Sequence, residues 1–162
     1  MLDETPIIKS LKPQQAIAMV TKSAGDASLG RTIFENAKCA NCHTISQAES
    51  QKGPYLGNIA KTYKRPELAV AILQPEKTIA QGFATNSFLT YDGLVLTGFV
   101  TDEQNDLVVL RDQNGKEHTL LKDDIEIRKK LPTSMMPNGI LDEFTVFQAS
   151  SLIEYLTEIA DR

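Results

Sequence analysis

No stretch of this 162-residue sequence approaches the ~20 consecutive apolar residues that a membrane-spanning helix needs, and its mean hydropathy is -0.22. Positive charge is not in excess either. Seventeen Lys and Arg stand against 21 Asp and Glu, for a net charge of -4, and the basic residues are scattered, which argues against a phosphate-binding face and hence against nucleic acid. Cysteine is scarce, at two residues. A chain of this size buries a core without covalent staples, so that pair is read as chemistry before structure. The segment from Met1 to Leu11 carries Asp3 and Glu4 and no apolar h-region, so it is not a secretory leader. Internal repeats, low-complexity tracts and a convincing linker are all missing. What remains, 41% hydrophobic and 23% charged residues, is the composition of one soluble globular domain.

The periodicity changes twice along the chain. From Pro13 to about Lys64 it is mainly helical: Pro13 suits a first helical turn before Ile17 and Val20, where Met19 would fill core, and Asp26 is placed to cap a second helix with Leu29, Gly30, Ile33, Phe34 and Ala37. A polar stretch, Ser46 to Gly53, interrupts it. A further helix runs from Pro66 to just before Pro75. From about Phe83 to Arg128 the period becomes two. Asp92-Gly93 and Asn114-Gly115 mark hairpin turns, and Ile125 and Ile127 open a fifth strand of a small antiparallel sheet. Thr145 with Gln148 then forms a capping box ahead of an amphipathic last helix through Ile159. The pattern predicts a mainly α fold with a β insertion.

Cys39-Ala40-Asn41-Cys42-His43 is a C-x-x-C-H motif, the attachment site of c-type haem. Two thiols three positions apart reach two vinyl groups on one side of a porphyrin, and the adjoining imidazole then lies under the iron. Three other readings compete. A thioredoxin-like redox pair expects a βαβ context, which helical flanks do not supply. A zinc site joining Cys39, Cys42, His43 and His118 departs from the usual spacing, because Cys42 and His43 are adjacent. Two buried cysteines and a surface histidine are the bland alternative.

An iron held by His43 has an open face, for which the candidates are four methionines and His118. Met1 is terminal and Met19 belongs to a helix. His118, between Glu117 and Thr119, reads as a solvated strand residue. Met135 and Met136 lie in the loop Leu131 to Gly139, rich in Pro and Gly, where a side chain is free to be aimed at a metal. Met136, beside Pro137, is the preferred sixth ligand over Met135, and the bland alternative is that both methionines fill gaps around the porphyrin. The inserted sheet is expected to brace this loop without supplying a ligand.

A haem motif after a first helix, Gly53-Pro54 soon after it, a late Met-Pro loop and a terminal helix resemble a class I c-type cytochrome. Beyond that, the chain is similar to planctomycete-type cytochrome c-like haem-binding domains from about Gly25 to Ala160. The likeness is carried by Gly25-Asp26 with Gly30 to Phe34, Cys39 to His43 and Gly53 to Leu56. Glu67-Leu68, Ile72 to Pro75, Asp92-Gly93 with Gly98, Asp124-Ile125, Ser134 to Pro137 and Ile153 to Leu156 extend it. Residues 1–24 are then an N-terminal extension with a short helix, and residues 25–162 the cytochrome c domain, with a β insertion at about 83–128 placed before the axial Met loop.

The resemblance implies that Gly30 and Phe34 meet Leu152 and Tyr155 or Leu156 of the last helix. It also implies that the Pro54 carbonyl accepts the second ring N–H of His43. One covalently attached haem c with its iron is the implied cofactor, and its attachment outside the cytoplasm implies a periplasmic or otherwise exported protein whose leader is not in this sequence. Ligation by His43 and Met136 saturates the iron and so implies an electron carrier rather than an enzyme. It would serve a redox partner or a fused dehydrogenase module of a larger exported oxidoreductase. A haem-based gas sensor or peroxidase-like enzyme, with a displaceable methionine, is the alternative. No distal histidine beside an arginine is evident, which leans against a peroxidase.

Overall fold

The computed structural model describes residues 3–49 and 52–159, so what the sequence suggests for Met1 and Ala160 lies outside the described residues. The chain divides into two compact units, Met1–Lys77 with Asn138–Arg162, and Thr78–Pro137. Helix makes up 36% and strand 21% of the chain, so helices and a small antiparallel sheet share it.

The first unit holds α1 (Pro13–Lys22), α2 (Ala27–Asn36), α3 (Ile59–Thr62), α4 (Arg65–Leu73) and α5 (Val146–Ile159). Their ends follow local chemistry. Pro13 stands in the first turn of α1, where its missing N–H costs nothing. The Leu29 N–H donates to Asp26 Oδ1 over 2.7 Å at the start of α2, and the Lys64 N–H donates to Glu67 Oε2 over 2.6 Å at the start of α4. At α5 both halves of the capping box are made: Thr145 N–H to Gln148 Oε1, 2.9 Å, and Gln148 N–H to Thr145 Oγ1, 3.1 Å.

The N-terminal segment completes that helix end. Val146 N–H donates to the Pro6 carbonyl over 2.9 Å, Phe147 N–H to Thr5 Oγ1 over 2.9 Å, and Ile8 N–H returns to the Phe144 carbonyl over 2.8 Å. Two of the orphan donors of α5 are thus satisfied by residues some 140 positions away in sequence.

Ile33, Phe34, Val20, Leu68, Val146, Leu152 and Ile153 form the core of this unit. α2 and α5 touch through Gly30, where a Cβ would fall 1.9 Å from the Ser151 carbonyl oxygen and 2.7 Å from Tyr155 Cβ. Only hydrogen fits there. The glycine therefore meets Ser151 and Tyr155, while Phe34 stacks obliquely on Tyr155 with ring centroids 5.8 Å apart. Arg65 ties three helices: Nε donates to the Thr21 carbonyl over 3.0 Å, Nη2 to the Ser23 carbonyl over 2.5 Å, and Nη1 pairs with Glu154 at 2.7 Å. Met19 departs from its expected role. It lies on α1 but is 36% exposed, beside the stripe that the buried Ala16 and Val20 form.

The second unit is a five-stranded antiparallel sheet of β1 (Thr85–Thr90), β2 (Val95–Glu103), β3 (Leu107–Arg111), β4 (Glu117–Leu121) and β5 (Ile125–Lys130), in the order β4-β3-β2-β1-β5. It is a meander whose last strand returns beside the first. Gly93 and Gly115, at φ 86 and 78, sit in the two hairpin turns that Asp-Gly and Asn-Gly foretold. Leu89 faces Val95 and Ile127 across the register, with a bulge after Leu89 against β5. Phe88, Val108, Leu110 and Leu120 make the small core of one face.

His118 is on β4 but is not simply solvated. Its side chain is 20% exposed, and Nε2 lies 2.8 Å from Asp112 Oδ2 in the preceding turn. The strand pattern showed its position and not its partner, six residues back.

Candidate functional site

The C-x-x-C-H motif is folded into a single tight turn. α2 ends at Asn36, and Lys38 adopts a left-handed conformation at φ 58, turning the chain into a 3-10 turn over Cys39–Asn41. The Cys39 carbonyl accepts from the N–H of Cys42 over 3.2 Å and of His43 over 2.9 Å. One carbonyl therefore holds all three chemistry-bearing residues together, both cysteines and His43 being half-buried. Burial pushes the Cys39 thiol up to about 11. The helical flank of α2 on one side, with no βαβ unit around the motif among the described residues, is not the context a thioredoxin-like pair expects.

His43 Nδ1 lies 2.8 Å from the carbonyl oxygen of Pro54. A carbonyl only accepts, so the proton is on Nδ1 and the Nε2 lone pair is left for another partner. Burial lowers the His43 pKa, with the Pro54 bond acting the other way, which keeps the ring neutral, the form that binds a metal. Gly53 makes this approach possible. A Cβ there would stand 2.4 Å from the Cys42 carbonyl oxygen. The next residues are tied to those after His43 by Leu56 N–H to the Thr44 carbonyl at 2.9 Å and Tyr55 hydroxyl to the Ile45 carbonyl at 3.3 Å.

Leu56, Ile59, Tyr63 and Ile72 pack on the core of the same unit and remain only partly buried. A cavity of about 600 Å³ adjoins the motif, lined by Phe34, Ala40, His43, Ile45, Tyr155 and Ile159 and by the charged Arg31, Glu35, Glu49 and Glu158. Among the described residues, no cluster of three or more His, Cys, Asp or Glu could hold a metal ion. The zinc reading thus has no geometric support. The donor set that is present, two thiols and one neutral imidazole in a single turn, fits haem c.

Met135 and Met136 belong to the second unit. Both are half-buried, and the Met136 N–H donates to Ser134 Oγ over 3.1 Å. Thr85 fastens the loop to β1. Its carbonyl accepts from Leu131 N–H at 2.8 Å, and its hydroxyl donates to the Thr133 carbonyl at 2.6 Å. Sequence reasoning passed over Thr85, because a threonine opening a strand looks like ordinary β propensity.

The family model described as Cytochrome c matches residues 27–110, just over half of the chain. The chain belongs to the cytochrome c family. It therefore binds covalently attached haem c and its iron, and haem-based electron transfer is the activity of the family. The matched segment contains Cys39, Cys42, His43 and Pro54 but no methionine. It ends within β3, ahead of Met135 and Met136. No curated protein matches this cytochrome c chain, and no helix is long and apolar enough to cross a membrane among the described residues.

Proposed function

We propose that this cytochrome c is an electron carrier in which Cys39 and Cys42 hold one haem c through thioethers, His43 Nε2 is the proximal ligand and Met136 the sixth. The observation that carries the reading is the 2.8 Å contact between His43 Nδ1 and the Pro54 carbonyl. It fixes the tautomer, orients the ring and raises its basicity as a ligand. Bound haem supplies a one-electron couple at its iron. Met136 is favoured over Met135 by its place beside Pro137, and a thioether ligand raises the reduction potential.

The finer features go with this proposal. Residues 1–24 form an N-terminal extension and 25–162 the cytochrome domain of planctomycete type, with the sheet at about 83–128 as an insertion. The protein is exported, and its electrons pass to or from a redox partner or a fused dehydrogenase module. One sample tests the core of the proposal: absorption spectra of the purified protein, oxidised and reduced, before and after carbon monoxide. A low-spin spectrum unchanged by carbon monoxide supports the carrier. Rapid, tight binding by the reduced protein would support the gas-sensor or peroxidase-like reading instead.

A further inference from the structure

We infer that Thr85 is a positioning residue for the sixth iron ligand, holding the Met136 loop through its hydrogen bonds to Leu131 and Thr133. The inference rests on the assignment of Met136 as that ligand. Thr85 opens β1 and is 1% exposed. Its backbone carbonyl receives the Leu131 N–H at 2.8 Å, which continues the pairing of β1 with β5 one step beyond Lys130. Its hydroxyl then reaches past that pairing to the Thr133 carbonyl at 2.6 Å. The loop is thus fastened at two alternate residues immediately before Ser134, whose Oγ in turn receives the Met136 N–H at 3.1 Å.

These contacts form a chain of three polar links from a buried strand residue to the backbone of Met136. Each is short, and the first two fall on a position that cannot swing out without unpairing the strand. A loop with no regular structure of its own gains its definition from such links, since every rotatable bond left loose lowers the fraction of time a side chain points at its target. Threonine is suited to the task. Its β-branched side chain has a stiff χ1, so in this extended backbone the hydroxyl is held toward Thr133. Pro132 and Pro137 stiffen the two ends of the segment.

The test uses the intact haem-loaded protein and three sets of variants. Thr85→Val keeps the shape and the β branch but removes the hydroxyl, and Thr85→Ser restores it. Ser134→Ala cuts the next link, at a half-buried loop residue outside the strands. Met136→Ala checks the assignment itself. The weak long-wavelength sulfur-to-iron band and the rate of carbon monoxide binding to the reduced protein are read well below the melting temperature. Thr85→Val and Ser134→Ala are expected to weaken the band and speed carbon monoxide binding about fivefold each, a typical effect for losing one such side-chain link. Thr85→Ser should return both to the parent values. Unchanged rates in Thr85→Val and Ser134→Ala, with the band abolished by Met136→Ala, would overturn the positioning role and leave the ligand assignment standing. A band that survives Met136→Ala would overturn the assignment instead.

Discussion

The Pro54 carbonyl oxygen and His43 Nδ1 are 2.8 Å apart, and the residue that permits this closeness is neither of them. Gly53 passes beneath the Cys42 carbonyl, where a Cβ would stand at 2.4 Å. Gly53→Ala should therefore push the Gly53-Pro54 segment away from the Cys42 carbonyl and stretch the Pro54 bond to His43. An imidazole that donates a weaker hydrogen bond is a poorer electron donor to iron. The reduction potential is expected to rise by some tens of millivolts, measured by spectroelectrochemistry, with haem still attached. An unchanged potential would mean that the carbonyl does not tune the ligand.

Gly30 offers a sharper steric prediction. Its missing Cβ would lie 1.9 Å from the Ser151 carbonyl oxygen, which is backbone of α5 and has no flexible end to move. Gly30→Ala is expected to force α2 and α5 apart and to cost about 1–3 kcal/mol, as overpacking does, despite the better helix propensity of alanine. Chemical denaturation of the haem-loaded protein measures it. Stabilisation by this change would show that the helices slide apart without penalty.

Attachment can be tested on the denatured chain. Extraction with acid acetone should leave the colour with the protein, since a thioether is not broken by unfolding. Cys39→Ala and Cys42→Ala should each leave a single thioether, and the double variant should release haem to the solvent. Colour extracted from the parent protein would remove the covalent assignment.

Much of this was legible because local chemistry and periodicity carried it. Pro13, Asp26 and the pair Thr145 with Gln148 marked helix starts, Asp92-Gly93 and Asn114-Gly115 marked hairpin turns, and Cys39 to His43 declared the cofactor. What escaped depended on pairs far apart in sequence. Arg65 looks like any charged residue at a helix start, yet its partners are Thr21 of α1, Ser23 just past its end, and Glu154 of α5. Thr5 and Pro6 serve the end of a helix some 140 residues later. Met19 shows the converse error: its residue type suggested core, while beside the buried stripe of Ala16 and Val20 it is left 36% exposed.

The pair of His118 and Asp112 predicts a local acid transition. The His118 hydrogen bond is the main cause holding the Asp112 carboxyl below its ordinary value of 3.8, helped by the N–H groups of Lys116 and Asn114. A carboxyl whose pKa is lower in the folded state contributes stability that is full above 3.8 and is lost as pH falls through the folded value. The turn between β3 and β4 should therefore loosen below about pH 4 and not at neutral pH. The amide proton shifts of Asn114 and Lys116 follow it directly, since both donate to Asp112 Oδ1, at 2.8 and 3.0 Å. Asp112→Asn should abolish the titration, and its persistence there would assign it to another group.

Whether one of the two adjacent methionines fills the sixth position decides carrier against catalyst. A carrier keeps both axial positions filled in both oxidation states, because gaining or losing a ligand at each turnover adds reorganisation, whereas a sensor or peroxidase needs a vacancy. The Met136 N–H is held by Ser134 Oγ at 3.1 Å and Pro137 restricts the residue before it, so its backbone is fixed on both sides. Met136→Ala is expected to abolish the sulfur-to-iron band and admit carbon monoxide readily to the reduced iron. Met135→Ala should keep the band and the closed site. The reverse pattern would move the ligand to Met135, and ready carbon monoxide binding by the parent protein would replace the carrier with the sensor.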